Sequence, residues 1–468
     1  MQYKSSQKMK KTIILLFVFQ MVSFLNAQQM FTLEDAVAYG LENQDELKIS
    51  DIEVINAEHD IKEFRSIGMP KVSGGIDYNY YFYVPKQPVE DFIGPAVYSI
   101  LEAEEIPLIQ GAPENPETFE LSFVQPQQLN IGLNANMLLF DGSYLFGLKA
   151  AKVYRDLVKK QKNASEEEVK ANITKAYLSI LIAKENEKTL SDNILTLEKS
   201  LTEVKAMYEA GFMESLDVDR LQLSYDNLST QIENVRGLIE LSYNLLKFQM
   251  GYPIEDQIQL AETIEELIVK FDATSIDDGE IIINPEKRAT FQVLNTTQEL
   301  NNLDLKRNKA GYYPSVGVFA SFQESLQRSN LFDSDQTGFL PTGLLGFKIS
   351  VPIYDGGEKS AKIQKVKLNI EKTNLQKNQF SRGMTLQVKN GQVALNNAKR
   401  NLQNRKKALE MTQSIYDRTK IKFTEGVGSS VEVTQAEGSL YQAQAEYISA
   451  LYDVLQTKVD LDIALGDL

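Results

Sequence analysis

The side chains most used for catalysis are nearly absent. The chain has no cysteine and a single histidine in 468 residues, which excludes disulfides, thiolate nucleophiles and thiolate metal sites. His59 stands in the polar run NAEHDIKEF with no second histidine to complete a metal site. Neither G-x-x-x-x-G-K-[ST], nor G-x-S-x-G, nor H-E-x-x-H occurs. The net charge of −15 opposes nucleic acid as a partner. No enzyme activity, cofactor or metal is expected. The polar residues that do recur fall in two patterns. Amides and a carboxylate alternate with apolar residues, and single glycines interrupt long helical runs.

The N-terminus bounds the compartment. Lys4, Lys8, Lys10 and Lys11 precede the apolar run TIILLFVFQMVSFL, and Ala27 follows in NAQ. A basic region, a core too short to span a bilayer and a cleavage point read as a signal peptide over residues 1–27. Its loss takes away four lysines and no acids, leaving −19. The mature protein is expected to be exported.

Four segments alternate with a period of two. KVSGGIDYNYYFYV sets Val72, Ile76, Tyr78, Tyr80, Phe82 and Val84 against a face with Asp77 and Asn79. QLNIGLNANMLLF sets Leu129, Ile131, Leu133, Ala135, Met137 and Leu139 against Asn130, Asn134, Asn136, Leu138 and Phe140. SVGVFASFQ alternates likewise, and Leu345, Phe347, Ile349, Val351 and Ile353 do so in the fourth segment. Each is about ten residues, the span of a tilted transmembrane strand. Apolar-out, polar-in alternation is the pattern of an outer-membrane barrel, with Asp77, Asn79, Asn130, Asn134 and Asn136 lining its lumen. Alternation alone fits a soluble sandwich equally. The signal peptide, and the lack of any helix apolar enough to span a bilayer, favour the membrane. Four strands cannot close a membrane barrel, but three chains together supply twelve.

Everything else is helical and occurs twice. MLLFDGSYLFGLKAAK and SVPIYDGGEKSAKIQK share an apolar strand end, an Asp-Gly and a basic helical start, with Asp141 and Asp355 214 residues apart. Gly211 and Gly426 interrupt matching runs 215 apart. Val218, Leu221, Tyr225, Leu228, Ile232, Val235, Ile239, Ser242 and Leu246 step by three and four, and Val433 to Leu461 repeat those steps. Leu190, Ile194, Leu197, Leu201, Val204 and Tyr208 continue the seam before the first glycine. Sustained 3-4 spacing is a coiled-coil seam. The helix from Ser143 to Met207 is about 65 residues, roughly 100 Å. An exported coiled-coil scaffold accounts for the helices alone, and a general diffusion porin for the strands alone.

The chain therefore divides into a signal peptide (1–27), an N-terminal helical region (28–69), a first β-hairpin with a long acidic loop (70–141) and a first long helical hairpin (142–250). An intervening segment and helix (251–313), a second β-hairpin (314–355) and a second helical hairpin (356–468) complete it.

Over essentially the whole mature chain the sequence resembles the TolC family of outer-membrane efflux proteins. FTLEDAVAYGLENQDELKISDIEV, the FDG and YDGG junctions, GMPKVSGGIDY, GYYPSVGVFA and the duplication carry the resemblance. It implies a mixed α and β membrane protein: a homotrimer with a 12-stranded transmembrane β-barrel continued by a long α-helical barrel through the periplasm. It implies outer-membrane lipid, a periplasmic adaptor protein and an inner-membrane pump of RND or ABC type as partners. Family function concentrates at the helical tips, where glycine turns meet the adaptor; the matching residues are Gly211, Phe212, Gly426 and Val427. The family's gate aspartates match Glu432 and Gln435, and Asp217 occupies the neighbouring tip. Three Glu432 carboxylates around an axis would form an anionic constriction. The family's tyrosine and arginine latch aligns with Phe423 and Gly428, so that latch is missing; either closure uses other bonds, with Arg220 or Arg418 as partners for Asp217, or the resting state is leakier.

Overall fold

The computed structural model describes residues 29–91, 93–107, 118–271, 282–333 and 338–467. The expected signal peptide and part of the acidic loop lie outside these residues. In chain order the elements are β1 (Gln29–Phe31), α1 (Leu33–Asn43), α2 (Asp45–Ser66), β2 (Lys71–Tyr80), β3 (Gln87–Glu90), α3 (Ile93–Ala103), β4 (Thr118–Leu121) and β5 (Gln127–Phe140). Then come α4 (Gly142–Glu209), α5 (Ser215–Met250), β6 (Ile258–Leu260), α6 (Ile264–Lys270), α7 (Ala289–Ala310), β7 (Ser315–Arg328), β8 (Leu340–Ser350), α8 (Glu358–Thr424) and α9 (Ser430–Leu465). They fall into two compact units, one of residues 59–152 and 301–368, the other of the remaining chain.

The first unit is built on an antiparallel sheet in the order β2-β5-β7-β8. Register sets the faces, because residues opposite one another across a ladder share a side. Val72, Ala135, Ala320 and Leu345 form one row, and Ser73, Asn134, Ser321 and Leu344 form the next on the other face. The apolar face is bare: Val72 is 71% and Phe347 70% exposed. Glu324 interrupts it, opposite Ile131 and Pro341.

Several strand boundaries differ from expectation. β2 stops at Tyr80, so Phe82 and Val84 lie outside it, and β8 stops at Ser350, short of Val351 and Ile353. Pro352 follows β8 closely and has no N–H to extend the ladder. β7 runs on to Arg328, past Gln323. A bulge in β5 between Leu138 and Phe140 leaves Leu139 out of the pairing and puts Phe140 opposite Val316. Phe140 thus joins the apolar row rather than the polar face expected from strict alternation. The acidic loop holds the β3–β4 ladder and the 11-residue helix α3, neither of which its proline-rich sequence announced.

Asp-Gly closes no hairpin here; the aspartates start helices. Asp141 accepts the Tyr144 N–H at 2.9 Å and the Ser143 hydroxyl at 2.5 Å. Asp355 accepts the N–H groups of Gly357 and Lys359, both at 3.1 Å. Each satisfies amides that the first turn leaves free; one residue separates β5 from α4, and residues 351–357 separate β8 from α8.

The second unit is helical around one main core. α4 and α5 pack through Leu197, Leu201, Val204, Leu221 and Leu228, and α8 and α9 through Tyr416, Val433, Ala436 and Leu440. The first seam ends at Val204, and Tyr208 is exposed rather than buried. β1 pairs parallel to β6, and the Tyr177 hydroxyl donates to the Phe31 carbonyl at 3.0 Å from inside the core. Thr32 and Asp35 form a capping box at the start of α1. Among the described residues no helix is long and apolar enough to cross a membrane.

Gly251 ends α5 with φ +67°, and an added Cβ would lie 2.7 Å from the Asn43 carbonyl oxygen and 2.9 Å from Gln44 Cα. Both neighbours are backbone and cannot swing aside. Gly251→Ala is expected to destabilise this unit by about 1–3 kcal/mol through left-handed strain plus overlap. Circular dichroism in urea should show the lower midpoint; an unchanged midpoint contradicts the packing of α1 on α5.

Candidate functional site

The two helical turns share one construction. Gly211 has φ +84° and Gly426 φ +75°, conformations that an L side chain resists. The Phe212 N–H donates to the Met207 carbonyl at 2.9 Å, and the Val427 N–H to the Lys422 carbonyl at 3.0 Å. This is the wide hydrogen bond of a Schellman ending, whose following residue normally packs back onto the helix. Here it does not: Phe212 is 81% and Val427 78% exposed. Each turn therefore offers a bare apolar side chain held by a turn that glycine permits.

Beside these turns, the expected gate residues separate into two environments. Glu432 and Gln435 are both exposed on the first turns of α9, three residues apart and so on one face. The Glu432 N–H is capped by the Ser429 hydroxyl at 3.3 Å. Asp217 is drawn to a different neighbour, accepting the Ser430 hydroxyl, and Arg220 stands 3.6 Å from its carboxylate. Arg220 also donates to Ser430 at 3.4 Å. Arg220, not Arg418, is therefore the partner of Asp217; Arg418 is exposed and makes no ion pair among the described residues. The contact ties the start of α5 to the start of α9.

In the sheet unit, Asp77 lies opposite Asn130 and Ser73 opposite Asn134, with Ser325 and Ser321 next in those rows. Asn79 faces Gln128, and Asn136 lies between Lys71 and Phe319. Asp77, Asn79, Asn130, Asn134 and Asn136 thus share one face of the sheet.

Residues 287–467 match the family described as Outer membrane efflux protein. The outer membrane protein TolC of Vibrio cholerae serotype O1 is 18% identical over 340 residues, spanning 73% of this chain and 77% of that protein. The chain is thus similar to TolC and other outer membrane efflux proteins. A crystal structure of CusC, described with transmembrane channel formation, superimposes with a TM-score of 0.71 at 15% identity, covering 94% of this chain and 93% of that one. The outer membrane protein VceC of Vibrio cholerae gives 0.67 at 14% identity, covering 93% and 96%. These likenesses establish a shared fold, and the match to the outer membrane efflux family together with the similarity to TolC points to the outer membrane.

At Phe423 and Gly428, the positions that the resemblance aligned with a polar latch, the structure shows apolar packing and a backbone turn. Phe423 packs against both coiled-coil seams. Gly428 donates to the Lys422 carbonyl at 3.1 Å, and a Cβ there would come within 3.1 Å of the Phe423 nitrogen.

The sequence reading missed the polar group behind this latch. Glu437 is only 3% exposed. Its carboxylate accepts the Tyr441 hydroxyl at 2.9 Å and shares a small cavity with Glu203, Tyr416, Lys420, Ser200 and Ser430. Burial raises the Glu437 pKa above the ordinary glutamate value, against the opposing effects of the Tyr441 bond and the Lys420 charge. Burial and the Glu437 charge push the Tyr416 phenol up to about 12. The legible signal was a carboxylate placed directly after the seam residue Ala436, with a tyrosine four residues on.

Because its folded pKa is raised, Glu437 stabilises the tip when protonated. That contribution is complete below the ordinary glutamate value and is lost as pH rises through the raised one. Glu437→Gln should leave the melting temperature near that of the parent at low pH and raise it increasingly above the parent towards pH 8. Paired melting curves from pH 4 to pH 8 check this; a constant offset contradicts it.

Proposed function

We propose that this protein is the outer-membrane exit duct of a tripartite efflux or type I secretion system: a passive trimeric channel and not an enzyme. Three copies of the β2-β5-β7-β8 sheet close a 12-stranded barrel, and the helical hairpins close a second barrel that continues into the periplasm. The observation that carries this reading is the sheet itself. Among the described residues it has two unpaired edges, β2 and β8, one exposed apolar face and one polar face. Lipid tolerates no open edge, so such a sheet must be completed by others of its kind. Leu129 to Met137 of β5 present apolar residues over roughly 27 Å of strand, on the scale of the ~25 Å apolar band of such barrels. The polar face with Asp77, Asn79, Asn130, Asn134 and Asn136 then lines the lumen. The matching 36-residue lengths of α5 and α9 support an internal duplication.

The tips supply control. Exposed Phe212 and Val427, set on Gly211 and Gly426, suit docking of an apolar helical hairpin from a periplasmic adaptor, which in turn engages an inner-membrane pump of RND or ABC type. Glu432 would form a ring of three carboxylates at the periplasmic mouth, with Gln435 a neutral second ring. The Asp217–Ser430–Arg220 contact and Phe423 hold each tip closed until docking separates α5 from α9.

Single-channel recording in planar bilayers tests this. The parent should conduct and prefer cations, and Glu432→Ala should lower the cation-to-anion permeability ratio severalfold. An unchanged ratio removes Glu432 from the gate, and the absence of any conducting unit overturns the duct itself.

A further inference from the structure

Against a net charge of −15, the helical ends of the sheet unit run the other way. Between Gly142 and Lys152 the chain carries Lys149 and Lys152 and no acid. Between Asn301 and Tyr313 it carries Lys306, Arg307 and Lys309, and the one acid there, Asp304, is paired to Arg307 at 2.9 Å. Lys149, Lys152, Lys306 and Lys309 are exposed and make no ion pair among the described residues.

Their side of the unit follows from the register. Leu138 lies two residues from Asn136 and pairs with Gly317, which puts it on the polar face. Ser143, Tyr144, Arg307 and Asn308 line one cleft with Leu138, so they mark that side of α4 and α7. At about 100° per residue, all four lysines fall more than ~120° away from the cleft, on the side of the apolar face. Exposed Leu145 shares that side of α4. Along the chain, Phe140 stands between the apolar rows and Lys149, and Tyr312 and Tyr313 between Lys309 and β7, each at least 45% exposed. Aromatic residues of this kind belong at the boundary between hydrocarbon and water. On α4 the Cα–Cβ bonds tilt towards the helix N-terminus, that is, back towards the sheet, and lysine stems reach further.

We propose that Lys149, Lys152, Lys306 and Lys309 form a basic collar that binds the phosphates of anionic phospholipids in the periplasm-facing leaflet; this rests on the outer-membrane reading of the sheet. Continuity with the apolar face and the opposite charge of the headgroups select lipid as the occupant. The collar fixes the depth of the sheet in the bilayer and keeps an otherwise acidic protein from being repelled by an anionic leaflet. Each lysine near such a surface strengthens binding about fivefold.

The test uses the full-length protein reconstituted in phosphatidylcholine bilayers with a minor fraction of phosphatidylglycerol. Native mass spectrometry then counts the phosphatidylglycerol retained. The parent should retain it preferentially, less so in high salt. The combined substitutions Lys149→Gln, Lys152→Gln, Lys306→Gln and Lys309→Gln should reduce the preference at least tenfold while insertion into pure phosphatidylcholine continues. Lys199→Gln with Lys389→Gln, exposed helical lysines of the other unit, should leave the preference intact. Parental retention by the fourfold variant, or an equal loss in the control, overturns the collar. Failure of the parent to enter any bilayer overturns the outer-membrane reading and the collar with it.

Discussion

Unpaired backbone along two strand edges governs the rest of the design. Among the described residues β2 pairs only with β5 and β8 only with β7, so each outer edge carries N–H and C=O groups with no partner in the sheet. In water these edges are a liability that proteins blunt or cover. In hydrocarbon each unsatisfied group costs several kcal/mol, and the neighbouring face is too apolar to remain in water at no cost. On the exit-duct reading, a chain that brings four strands moves the closure of its barrel from folding to assembly. On the proposed reading, the fold of one chain is complete only when others supply the missing ladder.

That constraint extends into the helices. Asp141 caps α4 one residue after the last paired strand residue and Asp355 caps α8 five residues after it, so the slack between strand and helix is small at the first junction and larger at the second. The seams sort the helices into pairs, α4 with α5 and α8 with α9. Polar bonds then join the pairs: Asn193 to Gln444 at 2.5 Å, Lys175 to Asp460 at 2.6 Å, and Asp217 to Ser430 at the tips. A buried seam with polar cross-ties suits an element that must separate and re-form, because exposed ion pairs contribute about 0–1 kcal/mol each. Phe423 packs against both seams beside the buried Glu437–Tyr441 group.

Much of this architecture was legible because its periods are long and regular. The 3-4 spacing from Val218 to Leu246 predicted buried positions that the structure largely confirms, and period-two alternation located all four strands of the sheet. Failures came where one residue breaks a period. The bulge at Leu139 moved Phe140 to the other face, and no pattern of types signals a bulge there. Strand ends were misjudged at Tyr80 and Ser350 because apolar alternation continues beyond the last ladder bond. At the tip, Gly211 and Gly426 were readable from spacing, since a lone glycine between helical runs has few other uses. The Asp217–Ser430 contact and the Glu437 cavity were not, because they depend on how two hairpins 215 residues apart are placed side by side.

The most direct test of the account is the subunit count of the detergent-extracted, unheated protein, by light scattering with the detergent contribution subtracted. Three copies are predicted, because four strands per chain then close twelve. A monomer would mean that the edges of β2 and β8 close nothing, and the exit-duct account would fail.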